Sequence, residues 1–142
     1  MRIIGLDVGD KTIGIAVSDL LGITAQGIDT ILRVGIRKDC DKVISYIREY
    51  DCDTVVIGLN KRLDGKETPQ TEKVYQFKTM LENKMRSIQL GHIGIVFQDE
   101  RLSTVEAEKI LIAADVSRKK RKSVIDKQAA VIILQRFLDS QR

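Results

Sequence analysis

The chain has 142 residues, 43% of them hydrophobic and 31% charged, with a formal net charge of +4. That balance is the balance of a soluble globular protein large enough to bury a core, and the length leads us to expect one domain over residues 1–142. No apolar run approaches the roughly 20 residues of a membrane span, and the N-terminus enters a short strand directly rather than a signal-peptide core; the expectation is a cytoplasmic protein with no membrane partner.

The elements follow in chain order. Residues 2–8 and 12–18 read as two strands, the second alternating Ile13, Ile15 and Val17, and 24–32 reads as a third; the short connections between them predict an antiparallel meander. Ile36, Cys40, Val43, Ile44, Ile47 and Tyr50 recur at helical spacing. The run 53–59, "DTVVIGL", is a short apolar strand followed by turn-like residues. Thr68 then caps a helix that opens on Pro69 and carries a stripe of Val74, Phe77, Met80, Leu81 and Ile88. Residues 92–98 form the fifth strand, and Ser103 with Glu106 is a capping-box signature for a helix ending near Ala114. A last helix runs from Ser123 to about Asp139. Helical crossovers favour parallel pairing of strands one, four and five. The expected fold class is therefore α/β, a mixed five-stranded sheet made of a three-stranded antiparallel meander plus two parallel strands, flanked by helices.

Cysteine and histidine do not supply the chemistry. Cys40 and Cys52 form no C-x-x-C pair, and His92 is the one histidine. This argues against a disulfide framework, a zinc site or a His-based triad, and both cysteines read as small core residues. Five positive charges lie together in "RKKRK", Arg118, Lys119, Lys120, Arg121 and Lys122, and without them the balance would turn slightly negative. Such a cluster suits a polyanion. Consecutive like charges with no apolar anchor predict a mobile segment there.

Three places carry acids where a purely structural protein seldom puts them. Asp7 stands toward the end of an apolar strand that the topology makes central. Asp99 and Glu100 end the fifth strand, which brings them to the same C-terminal sheet edge if strands one and five run parallel, the edge where open α/β sheets place ligands. Asp126 shares the stripe Asp126, Ala130, Ile133 and Phe137, so it falls on the face that turns toward the sheet. Gly5, two positions before Asp7, and the small Ala129 and Ala130 leave room for that helix to approach. Acids gathered in a partly buried site repel one another and require protonation or a cation. Oxygen donors without His or Cys suit Mg²⁺ or Mn²⁺. Two such ions about 4 Å apart activate water and stabilise the leaving oxygen in phosphodiester hydrolysis.

The stretches "GLDVGDKTIGIAVSD" (5–19), "VVIGLNKRLDG" (55–65), "DERLST" (99–104) and "IDKQAAVIILQRFL" (125–138) together resemble the YqgF (RuvX) family, named for Holliday junction resolvase and pre-16S rRNA nuclease activities. The resemblance covers nearly the whole chain and implies an RNase H-like fold. It implies Asp7, Glu100 and Asp126 as catalytic metal-binding acids, with Asp99 adjoining them. Thr12 stands where the family commonly has Arg, and Asn60 where it commonly has Pro; these departures bear on loop shape and phosphate contacts, not on the acids.

Lys11, Lys61, Arg62 and Arg101, together with Arg118–Lys122, are the candidate phosphate contacts. Gly58 and Gly65 read as turn or close-approach positions. Six aromatic residues and no Trp give little support to base stacking and favour recognition of backbone and shape. The leading expectation is a metal-dependent nuclease acting on structured RNA or branched DNA, with the 5′ end of pre-16S rRNA ahead by analogy. Symmetric cutting of a Holliday junction needs two sites related by a two-fold axis, and no dimer face is readable, so a monomer or weak homodimer is expected. Two other classes stay open: a non-catalytic nucleic-acid-binding transcription factor, and an actin-like ATPase module, whose cleft needs two copies of a fold for which this chain has room for one.

Overall fold

The structure, a computed structural model, describes residues 1–60, 66–100 and 118–141. Strands β1 (Arg2–Val8) and β2 (Thr12–Ser18) pair antiparallel, with Gly5 opposite Ala16 and Asp7 opposite Gly14. The turn between them closes through the Gly9 N–H, which donates to the Thr12 carbonyl at 2.9 Å. Strand β3 (Ala25–Leu32) completes the meander, with a bulge opposite Ile15 and Ala16. Strands β4 (Cys52–Asn60) and β5 (Gly94–Glu100) pair parallel to β1 and to β4, giving the order β3-β2-β1-β4-β5. The expected mixed sheet is the one observed.

Period-two alternation divides the sheet into two faces. Ile4, Leu6 and Val8 of β1 join Ile13, Ile15, Val55, Ile57 and Leu59 on the face covered by α1 (Ile36–Glu49) and α2 (Pro69–Ser87). Ile3, Ala16 and Val56 lie on the other face, under α3 (Arg118–Ser140). The caps follow the sequence: the Thr68 side chain accepts the Thr71 N–H, the Thr71 hydroxyl accepts the Thr68 N–H, and Pro69 opens α2. Met85, not Ile88, completes the buried stripe of α2, because the helix ends at Ser87 and leaves Ile88 as an exposed cap.

Two boundaries differ from expectation. Strand β5 starts at Gly94 and continues through Asp99 and Glu100, which pair with Leu59 and Asn60; the parallel ladder with β4 carries the strand past its apolar run. The last helix begins at Arg118, so the basic segment is helical rather than a mobile loop. No Gly or Pro separates it from the buried half of α3, and Lys and Arg are good helix formers, so propagation from an anchored helix outweighs their mutual repulsion. The helix expected over Ser103–Ala114 lies outside the described residues.

Helix α3 seats on the sheet through Ala129, Ala130, Ile133, Leu134 and Leu138, all buried. The contact is close because the sheet offers hydrogen atoms where it would otherwise offer side chains. A Cβ on Gly5 would stand 2.7 Å from Leu134 Cβ and 3.4 Å from the Ala130 carbonyl oxygen, one on Gly27 would stand 2.6 Å from Lys127 Cγ, and one on Gly58 would collide with the Ile133 side chain. The close-approach reading of Gly58 holds; Gly65 lies outside the described residues.

Candidate active site

Asp7 is half-buried on the α3 face, one pleat beyond Gly5, at the C-terminal edge of the central strand. Its lateral neighbours are small. Gly14 pairs with it on β2, and on β4 the residue after the Leu6 partner Ile57 is Gly58, so the sheet beside the acid carries no side chain on that face. The ladder continues from Gly58 to Gln98 and from Asn60 to Glu100. Alternation assigns position 100 to the face of Val56 and Gly58, hence to the face of Asp7, whereas Asp99 pairs with buried Leu59 on the α1/α2 face and is exposed. Neighbouring strands lie about 4.8 Å apart and residues rise about 3.3 Å. Positions 7 and 100 are thus about 10 Å apart across the sheet and about 7 Å along it.

Position 126 lies one helical turn before Ala130, on the stripe that packs on Gly5. The backbone therefore gathers positions 7, 100 and 126 at one edge and on one face; the side chains of Glu100 and Asp126 lie outside the described residues. Among the described residues there is no group of three or more His, Cys, Asp or Glu able to hold a metal, and Asp7 is the member of the set that is described in full. The donor chemistry fits a hard divalent cation: three carboxylates, with exposed His92 on the far edge of the sheet before β5 and both cysteines buried in the α1/α2 core. Burial pushes the Cys40 thiol up to about 12 and the Cys52 thiol up to about 11.

Of the candidate phosphate contacts, Lys11 is exposed in the β1–β2 turn, at the site edge. Arg118–Lys122 form the first turn and a half of α3, with side chains outside the described residues. Lys61, Arg62 and Arg101 also lie outside them. Five cations at a helix N-terminus oppose the helix dipole, and no acid stands in that first turn.

Sequence reasoning missed the support behind the turn. The Arg33 guanidinium donates from Nε to Asp39 Oδ2 at 3.0 Å and from Nη1 to the Gly9 carbonyl at 2.8 Å. Asp39, 2% exposed, also accepts the Val34 N–H at 3.0 Å through Oδ1. The signal was present: Asp39 sits three residues after Ile36 and four before Val43, on the apolar stripe of α1, as Asp126 sits on that of α3.

The described architecture is that of the RuvC-like resolvases, the RNase H-like fold. RuvC of Thermus thermophilus, solved with a Holliday junction substrate, superposes with a TM-score of 0.58 over 99% of this chain and 95% of its own, at 11% identity. The yeast mitochondrial Holliday junction resolvase Ydc2 does so with a TM-score of 0.55 over 98% of this chain and 78% of its own, at 10% identity. At such identities the likeness is one of fold. Within that fold the chain belongs to the RuvX family, whose model, described as "Holliday junction resolvase", matches residues 1–140. A relative from Clostridioides difficile named "Putative pre-16S rRNA nuclease" is 54% identical over 97% of this chain and 94% of its own length. One of the same name from Thermoanaerobacter pseudethanolicus is 50% identical over 100% and 99%.

Proposed function

We propose that the chain is a divalent-metal-dependent nuclease that hydrolyses phosphodiester bonds of structured RNA, with the 5′ end of the 16S ribosomal RNA precursor as its substrate. One observation carries the reading: β1 and β5 end at the same sheet edge, and positions 7, 100 and 126 share one face there. Full-length relatives at about half identity, named for that RNA, favour it over junction DNA. The work would then lie in the cytoplasm, by a monomer or weak homodimer.

In this reading Asp7, Glu100 and Asp126 hold Mg²⁺ or Mn²⁺, which supplies Lewis-acid activation of water and stabilisation of the leaving oxygen. Asp7 anchors the set from the central strand of the sheet. Gly14 and Gly58 add no side chain beside the acid, and the space over Gly58 is taken by Ile133, which seats α3 against the sheet next to Asp7. Lys11, Lys61, Arg62 and Arg101 contact flanking phosphates, and Arg118–Lys122 grip the polyanion, where bound phosphate offsets the unfavourable charge at the N-terminus of α3.

The test offers a precursor ribosomal RNA fragment and a four-way DNA junction side by side to the wild type and to Asp7→Asn, with Mg²⁺ or Mn²⁺. Cleavage of the RNA by wild type alone is expected. Cleavage of the junction alone transfers the assignment to a resolvase. Cleavage of neither by folded wild type, with RNA binding retained, identifies a non-catalytic binding factor.

A further inference from the structure

We propose that Arg33, locked by Asp39, is a positioning residue for the Asp7 site, fixing from behind the main chain that carries the acid; the proposal rests on the metal-dependent nuclease reading. In "LRVG", residues 32–35, the usual distribution is inverted. Leu32 and Val34 are 76% and 74% exposed, while the charged side chain between them turns inward to 17% exposure. Its guanidinium lies 5.6 Å from the centre of the buried Phe77 ring. An arginine held in this way has a structural task that outweighs its hydration.

The task is visible in what it holds. Nη1 donates to the Gly9 carbonyl, two residues after Asp7, and the Arg33 N–H donates to the Lys11 carbonyl at 2.9 Å. The same turn is held from α2: the Gln70 amide donates to the Val8 carbonyl at 3.4 Å, and the Lys73 ammonium pairs with Asp10 at 3.0 Å. Carbonyls 8 and 9 are thus engaged by the side chains of Gln70 and Arg33, and carbonyl 11 by the Arg33 main chain, which extends the β2–β3 ladder past Thr12 and Leu32. The two N–H bonds of Arg33 diverge from one planar group, one to a buried carboxylate and one to the turn, so the position of the turn is referred to the first turn of α1. Lysine cannot reproduce this, because its three donors sit on one nitrogen, whereas the two bonds of Arg33 leave from separate nitrogens, Nε and Nη1, of a rigid plane. Groups that orient a metal ligand commonly change metal affinity about 10- to 100-fold when removed.

The experiment measures Mn²⁺ binding to the full chain by calorimetry, with thermal midpoint and amide exchange of the Gly9 N–H alongside. Arg33→Lys is expected to weaken Mn²⁺ about 10-fold or more and to speed exchange at Gly9. Asp39→Asn, which keeps an acceptor for the Val34 N–H, is expected to weaken it less and serves as the test variant if Arg33→Lys does not fold. Val43→Ala, a core truncation on α1, is expected to lower the midpoint with Mn²⁺ affinity unchanged. An Arg33→Lys protein that binds Mn²⁺ within about twofold of wild type overturns the proposal alone, as does a matching loss in Val43→Ala. A wild type that binds no Mn²⁺ overturns the metal reading itself, and the proposal with it.

Discussion

Gly5→Ala would place a methyl carbon 2.7 Å from Leu134 Cβ, 3.5 Å from Leu134 Cα and 3.4 Å from the Ala130 carbonyl oxygen. Carbon atoms in contact sit about 3.5–4.0 Å apart, so α3 must retreat from β1 by about 1 Å. Neither side can yield by a rotamer change, because the facing atom is a Cβ and both backbones belong to regular elements. Overpacking of this kind costs about 1–3 kcal/mol. The larger effect falls on the site, since β1 carries Asp7 and α3 carries Asp126, and a misplacement of about 1 Å can cost about 100-fold in rate. The assay pairs thermal unfolding with metal-dependent cleavage. Cleavage is expected to fall about 100-fold while the protein stays folded at 25 °C. Leu134→Ala does not relieve the clash, because it keeps the Cβ; Leu134→Gly does, so in that background Gly5→Ala is expected to add less than about 1 kcal/mol, a coupling read by a double-mutant cycle. A Gly5→Ala protein with wild-type midpoint and rate, or equal Gly5→Ala effects in both backgrounds, would refute the packing of α3 on Gly5 as the device that closes the site.

Other outcomes follow from the same structure. Glu100→Gln and Asp126→Asn should each lower metal-dependent cleavage by about 100-fold or more with little change in midpoint, the scale on which loss of one preorganised electrostatic group acts, whereas Asp99→Asn should leave it within a few-fold; kinetics at saturating metal checks this. Replacing Arg118–Lys122 by glutamine should flatten the dependence of log affinity on log salt by about 0.7–0.9 for each phosphate that is no longer neutralised, and an unchanged slope would remove the segment from the interface. Cys40 and Cys52, with thiols pushed up to about 12 and about 11 by burial, should resist a thiol reagent at neutral pH until the chain unfolds; rapid labelling of native protein would contradict their burial. Asp19 accepts the Ile23 and Thr24 N–H groups, chiefly that of Ile23, which holds its carboxyl below the usual range. Its contribution to stability is present above the ordinary carboxyl pKa and is lost as pH falls through the lowered folded value, so Asp19→Ala should lower the midpoint at neutral pH and not in strong acid.

The strands were legible because each is a short apolar run bounded by turns, and their antiparallel or parallel sense followed from short connections or helical crossovers. The shared edge of Asp7 and Glu100 came from the parallel pairing of β1, β4 and β5. The separation of Asp99 from Glu100 was not legible, because it depends on the register that pairs Leu59 with Asp99, and one residue of slip would exchange their faces. Nor was the start of α3: serine at 123 read as the start of the helix and the basic run as a mobile segment, while the helix is propagated from the buried residues Ala129 to Leu138. The Arg33 and Asp39 pair escaped for a related reason. A charge on an apolar stripe announces a buried partner, but the partner here comes from a strand end that the helix period does not describe.

The most direct test of the site is anomalous diffraction from crystals grown with Mn²⁺. Manganese bound directly by the carboxylates of Asp7, Glu100 and Asp126, and lost in Asp7→Asn, is the expected result. Manganese bound elsewhere, with those three carboxylates turned apart in the well-ordered wild type, would contradict it.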